Sequence, residues 1–188
     1  ALPALRGPYQ EHDAGGLRAL PPLAGRTLVE YQARCLAAAG AAPLVVLVER
    51  VPPALKEAFE RLRAEGISVI AVSDGSEAAS RFEAGSDLIL LADGIAPDMG
   101  DLERLLEDSG SAILTVPDDD AHSNFERIDS SHRWAGLARV DSNMVGATAA
   151  MLGDWDLQST LLRRSIQSGS RLLKSSEGEG RGPFLASD

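Results

Sequence analysis

Between Leu44 and Val116, short apolar runs alternate with stretches of helical spacing, and this rhythm constrains the fold more than any other feature of the sequence. Leu44 to Val48 is a continuous apolar run of β-formers ended by Pro52 and Pro53, which predicts a strand buried on both faces. Pro53 can open the next helix, over Ala54 to Ala64, where Leu55, Phe59 and Leu62 recur at helical spacing until Gly66 stops the pattern. Upstream, Thr27 to Ala39 begins with Thr27 and Glu30, the Ser/Thr-x-x-Glu spacing in which two side chains satisfy free amides at a helix start, and closes at Gly40. Downstream, the sequence predicts a strand over Ile67 to Val72, a short helix over Glu77 to Glu83 and a strand over Leu88 to Leu91. A helix over Leu102 to Glu107 and a strand over Ala112 to Val116 complete the series. Strands joined by helices of this length imply parallel crossovers and a sheet covered on both faces.

The rhythm breaks after Pro117. Asp118, Asp119 and Asp120 open a polar stretch expected to be a solvated loop, followed by strands over Phe125 to Ile128 and Trp134 to Val140 and helices near Asn143 to Leu152 and Leu157 to Ser168. Antiparallel strands added to a parallel core are the simplest reading. The predicted architecture is therefore a three-layer α/β fold with a mixed, mainly parallel central sheet and helices on both faces. Ser175 to Gly182, rich in Ser, Gly and Glu, is expected to be a mobile loop.

A chain of 188 residues, 44% hydrophobic and 24% charged, suits one domain over residues 1–188 with a core of its own. Its formal charge of −10, with no block of Lys and Arg, argues against a nucleic-acid partner. A small nucleotide is compatible with that charge, because it arrives with a divalent cation that carboxylates help to hold. The one cysteine, Cys35, allows neither an intramolecular disulfide nor a Cys-based metal site. No apolar run approaches the roughly 20 residues of a membrane span, and no signal-peptide pattern is read at the N-terminus. A cytoplasmic setting is expected. A homo-oligomer is left open.

Ligands of open parallel sheets gather beyond the carboxyl ends of strands. Asp93 follows the apolar run Leu88 to Ala92 and precedes Gly94, where a carboxylate can reach a bound cation while the backbone turns away. The same Asp-Gly pair also suits a plain turn, as Asp74-Gly75 does. His12, His122 and His132 lack metal-ligand spacing and read as exposed. There is no Gly-x-Ser-x-Gly elbow and no Walker-type Gly-Lys-Ser/Thr. Asp156, in Gly153-Asp154-Trp155-Asp156, is expected to cap the following helix with Trp155 packed nearby.

Several segments, in order, carry a resemblance. LPPLAGRTLVEYQARCLAAAG (Leu20 to Gly40) is similar to the segment after the nucleotide-binding loop of the sugar-phosphate nucleotidyltransferases, and LILLADGIAPDMGDLERLLE to that family's strand ending in a metal-binding Asp. Phe125-Glu126-Arg127 resembles its Glu-Lys strand, Trp134-Ala135-Gly136-Leu137 its Asn-Ala-Gly-Ile/Val, and WDLQSTLLRRSIQSGSRL its late helix and strand. The resemblance implies a nucleotide-diphospho-sugar transferase-like fold. It implies transfer of a nucleoside monophosphate from a nucleoside triphosphate to a sugar 1-phosphate, inositol phosphate or similar phosphorylated alcohol, with release of pyrophosphate. Mg²⁺ is the implied cofactor, held by Asp93 and by Asp188 at the end of a strand-then-Asp segment. Arg6, Gly7 and Arg18 fall where the family binds nucleotide, with Arg18 and Asp93 the implied catalytic pair, and Glu126, Arg127 and Gly136 where it binds the acceptor.

The departures fall mostly in the first loop. The family pattern Gly-x-Gly-x-Arg is reduced to Arg6-Gly7 and Gly15-Gly16; Pro8 removes an amide donor, and Glu11 and Asp13 add negative charge. Arg18 and Arg127 stand at the two family lysines, keeping the charge in a planar fork, and Trp134 stands for Asn. The alternative reading is a catalytically inactive nucleotide- or ligand-binding domain of the same fold with a regulatory role. An unrelated doubly wound nucleotide binder would need a glycine fingerprint after its first strand, which is absent.

Overall fold

The computed structural model describes residues 2–6, 22–23, 26–107, 109–152, 157–176 and 184–185. In chain order these form β1 (Leu2–Arg6), β2 (Pro22–Leu23), β3 (Arg26–Thr27), α1 (Leu28–Ala38), β4 (Ala41–Leu47), α2 (Pro53–Ala64), β5 (Val69–Val72), α3 (Gly75–Ala79), β6 (Asp87–Leu91), β7 (Ile95–Ala96), α4 (Met99–Glu107), β8 (Ala112–Pro117), a 3₁₀ turn (Asp120–His122), β9 (His132–Asp141), α5 (Ser142–Leu152), α6 (Leu157–Gln167), β10 (Arg171–Lys174) and β11 (Phe184–Leu185).

Seven strands make the main sheet in the order β10-β8-β9-β6-β1-β4-β5. β1 pairs in parallel with β4 and β6, β4 with β5, and β8 with β10; β9 alone runs antiparallel, between β6 and β8. Successive side chains of a strand point to opposite faces. Because Leu88, Ile89, Leu90 and Leu91 are all buried, as are Leu44 to Val48, both faces of the sheet are covered. α1 packs against α2 on β4 and β5, α3 packs with α5 and α6, and α4 lies on β8 and β9. The mixed, mainly parallel sheet matches the expectation from the alternating pattern.

Local chemistry fixes the element ends. The Glu30 carboxylate receives both the backbone N–H and the hydroxyl of Thr27, at 3.0 and 2.7 Å, so the capping box read from the sequence closes the start of α1. Pro53 occupies the first turn of α2, where its missing N–H is no loss. Asp74, an Asp-Gly turn by sequence, accepts the Glu77 amide at 2.8 Å and caps α3, which starts and ends before the expected Glu77 to Glu83.

Two expectations for the segment between β8 and β9 are corrected. Phe125 to Ile128 is not a strand; it makes a single bridge, Arg127 to Arg133, because Arg133 spends its guanidinium on the carbonyls of Ser123 and Phe125 and on Asp118 and holds the segment as a packed loop. Asp118 is accordingly no solvated acid: it pairs with Arg133 at 2.6 Å and with Arg127 at 2.9 Å. At the expected mobile loop, Ser175 is buried, and Ser175 and Ser176 are bonded to Asp101; positions 177–182 lie outside the described residues. Asp154, Trp155 and Asp156 also lie outside them.

Candidate functional site

The carboxyl ends of the parallel strands converge around the turn after β6. Register places Arg6, the last residue of β1, beside Val46 of β4 and Leu91 of β6, and Asp93 follows Leu91 by two residues. Arg6 therefore ends one strand and Asp93 lies on the turn just beyond its neighbour, at the same end of the sheet. Asp93 is half-buried, and Gly94 behind it is buried with φ +73°, a left-handed conformation that lets the chain double back at little steric cost. Gly7, Arg18, Asp188, His12 and the Gly15-Gly16 pair lie outside the described residues.

Three contacts hold this turn from behind. The Ala92 amide donates to the Gly136 carbonyl at 2.8 Å, fastening the end of β6 to β9. Gln32, 1% exposed on α1, donates its Nε2 to the carbonyls of both Ala92 and Ile95. Tyr31 donates its hydroxyl to the Pro97 carbonyl at 3.3 Å; burial pushes the Tyr31 phenol up to about 12, so it stays a neutral donor at working pH. Among the described residues the Gln32 Oε1 is buried without a hydrogen-bond partner, a cost of about 1–3 kcal/mol. The sequence carries a signal for Gln32 in the pattern of α1. Leu28, Val29, Ala33 and Leu36 form the buried stripe of α1, and Gln32 is the polar residue in the middle of it.

The acceptor side of the resemblance maps onto β9 and the loop before it. Gly136 has φ +90°, and a Cβ there would lie 2.7 Å from Ile95 Cγ1, so Ile95 already fills the space that the glycine leaves. Trp134 is 2% exposed and donates its indole N–H to the Leu137 carbonyl at 3.0 Å, which turns it into the core. Glu126 is half-buried; its backbone carbonyl accepts from the Trp134 amide at 2.7 Å, and its carboxylate accepts from Gln158 at 3.3 Å. Arg127 is exposed and pairs with Asp118, while its Nε donates to the Asp129 carbonyl. His122 and His132, read as plain exposed histidines, each sit against an aspartate three residues earlier, Asp119 at 2.7 Å and Asp129 at 3.0 Å. Since β9 is antiparallel, its first residue His132 lies beside Pro117 and this loop stands at the same end of the sheet as Asp93.

No cluster of three or more His, Cys, Asp or Glu suited to a metal occurs among the described residues. One half-buried carboxylate at a strand end still fits Mg²⁺, which takes one or two carboxylates and completes its shell with water and substrate phosphates. No helix among the described residues is long and apolar enough to cross a membrane.

This arrangement of strands and helices is that of the nucleotide-diphospho-sugar transferase fold. The chain is similar to a protein described as a glucose-1-phosphate thymidylyltransferase from Bacillus anthracis, solved with sucrose, with a TM-score of 0.72 and 10% identity over 98% of this chain and 89% of the other. It is similar as well to a CMP:2-keto-3-deoxy-manno-octonic acid synthetase complexed with CTP, with a TM-score of 0.62 and 13% identity over 94% of this chain and 90% of the other. No family model matches the sequence, and no curated protein matches it.

Proposed function

We propose that the chain is a nucleotidyltransferase that joins a nucleoside monophosphate, taken from a nucleoside triphosphate, to a sugar 1-phosphate, inositol phosphate or similar phosphorylated alcohol. The observation that carries the reading is the position of Asp93, a half-buried carboxylate on a turn beside the end of β1, in a fold shared with two nucleotidyltransferases. In this reaction an acceptor phosphate oxygen attacks the α-phosphorus, the bond from that phosphorus to the bridging oxygen breaks, and pyrophosphate leaves. No covalent intermediate on the protein is needed. The work lies in aligning two polyanions and neutralising their charge. In this reading Asp93, with Asp188, holds Mg²⁺, which supplies charge neutralisation at the transferring phosphate. Arg6, Gly7 and Arg18 bind the triphosphate, and Glu126, Arg127 and Gly136 face the acceptor.

A second reading, a catalytically inactive ligand-binding domain with a regulatory role, is favoured by two observations on the acceptor side: Ile95 fills the space beside Gly136, and Arg127 is engaged by Asp118. Titration calorimetry of the full chain with the common nucleoside triphosphates and Mg²⁺ tests what the two readings share. Binding of at least one triphosphate, weakened when Mg²⁺ is withheld, is the expected result. Binding of none contradicts the first reading and the nucleotide-binding form of the second, leaving only a domain for another ligand.

A further inference from the structure

A side-chain amide buried in an apolar helix stripe is costly unless its groups are paired, and among the described residues the Oε1 of Gln32 has no partner. What it gains is specific. Its Nε2 bridges the carbonyls of Ala92 and Ile95, the residues that bracket Asp93 and Gly94, so one amide closes the turn across its base. Orientation of the amide follows from these partners, since a flipped Oε1 would face two carbonyl oxygens. Tyr31 adds a bond to Pro97, so consecutive residues of α1 grip both the turn and the chain leaving it. α1 is itself fixed at its start by the Glu30 box and by Arg61 of α2, at 2.9 Å from Glu30, which makes it a firm support for such a grip. Asp93 lies within the clamped turn, between the two carbonyls that Gln32 holds, and is followed by Gly94 in the left-handed conformation.

From this geometry we infer that Gln32 is a positioning residue for Asp93: it fixes the 92–95 turn so that the carboxylate is presented in one orientation to a bound divalent cation. The inference rests on the reading of Asp93 as a metal-holding residue. Groups hydrogen-bonded directly to a metal ligand typically govern affinity or activity by about 10–100-fold; Gln32 acts through the backbone on either side of Asp93, so the lower end of that range is expected.

Gln32→Met keeps length and packing and removes both donors. On the full chain, Mn²⁺ binding is followed by the loss of its free electron-spin resonance signal, and backbone exchange over residues 92–97 is followed by hydrogen–deuterium mass spectrometry. Gln32→Met is expected to melt within about 5 °C of wild type, to exchange faster at 92–97 with little change elsewhere, and to bind Mn²⁺ about 10-fold more weakly. Asp93→Asn, measured beside it, should abolish that Mn²⁺ site. Wild-type Mn²⁺ affinity in Gln32→Met, with the site lost in Asp93→Asn, overturns the positioning role and leaves the site intact. Mn²⁺ binding unaffected by Asp93→Asn, or absent in wild type, overturns the site itself and the inference with it. Should Gln32→Met fail to fold, Gln32→Glu carries the test, because a buried neutral carboxyl can donate one bond and not two; wild-type affinity there also overturns the role.

Discussion

Glu30 shows how much one side chain can settle. It is 2% exposed, and Arg61 foremost, with the Thr27 amide and hydroxyl, overcomes the effect of burial and holds its carboxyl down at about 2. A carboxyl lowered in the folded state contributes stability that is fully present above its unfolded value of about 4.5 and is lost as pH falls through 4.5 towards 2. Solvent around Arg61, whose side chain is 49% exposed, reduces the effect. Glu30→Gln is therefore expected to cost about 1–2 kcal/mol at pH 7, with the gap to wild type narrowing in urea titrations at pH 3. A gap independent of pH would contradict this. Gly136 is a second such residue. Gly136→Ala meets both a left-handed backbone and Ile95 at 2.7 Å, and is expected to lose about 2–4 kcal/mol. Gly40→Ala, with an equally left-handed backbone but open space around it, should lose about 1 kcal/mol. Equal losses in denaturant titrations of the two would show that the Ile95 contact is not what fixes the glycine.

Among the elements, α4 and β10 are joined by a contact that no sequence period announces. Asp101, fully buried in the first turn of α4, accepts from the Ser175 hydroxyl at 2.5 Å, from the Ser176 amide and hydroxyl at 2.9 Å, and from Arg104 at 3.1 Å. Asp101→Ala strands several of these donors and should lower stability by about 2–4 kcal/mol. Proteolysis near Ser175 should rise with it, and unchanged protection would contradict the clamp. Elements whose signal is local were readable in advance: α1 from Thr27 and Glu30, α2 from Pro53 and its apolar spacing, β4, β6 and β8 from continuous apolar runs. β1 was not, although it is central. Leu2–Arg6 contains Pro3, which cannot donate to a ladder, and the sheet accommodates it where the β1–β4 register shifts between Leu2 and Ala4. The segment Phe125 to Ile128 failed for the opposite reason. Its composition suits a strand, but the bonds that make it a loop come from Arg133, at the start of β9, to the carbonyls of Ser123 and Phe125, and the spacing of apolar residues carries no sign of them.

For the whole molecule, order along the chain said more than any one motif. The Asp93 turn could be recognised from a strand run followed by Asp-Gly, whereas its support by Tyr31 and Gln32 spans 60 to 66 residues of sequence and appears only once α1 is laid against the end of β6. Antiparallel pairing of β9 with β6 and β8 brings the start of β9 and the loop before it to the Asp93 end of the sheet. The central claim is that this end transfers a nucleotidyl group with Mg²⁺ held at Asp93. Pyrophosphate release by wild type and Asp93→Asn, with Mg²⁺, the common nucleoside triphosphates and a panel of sugar and inositol 1-phosphates, tests it most directly. The account predicts release by wild type from at least one pair, and release at least ~100-fold slower by an Asp93→Asn protein that melts at the wild-type temperature. No release from any pair by wild type would contradict transfer, and equal, easily measured release by both proteins would contradict the placement of the metal.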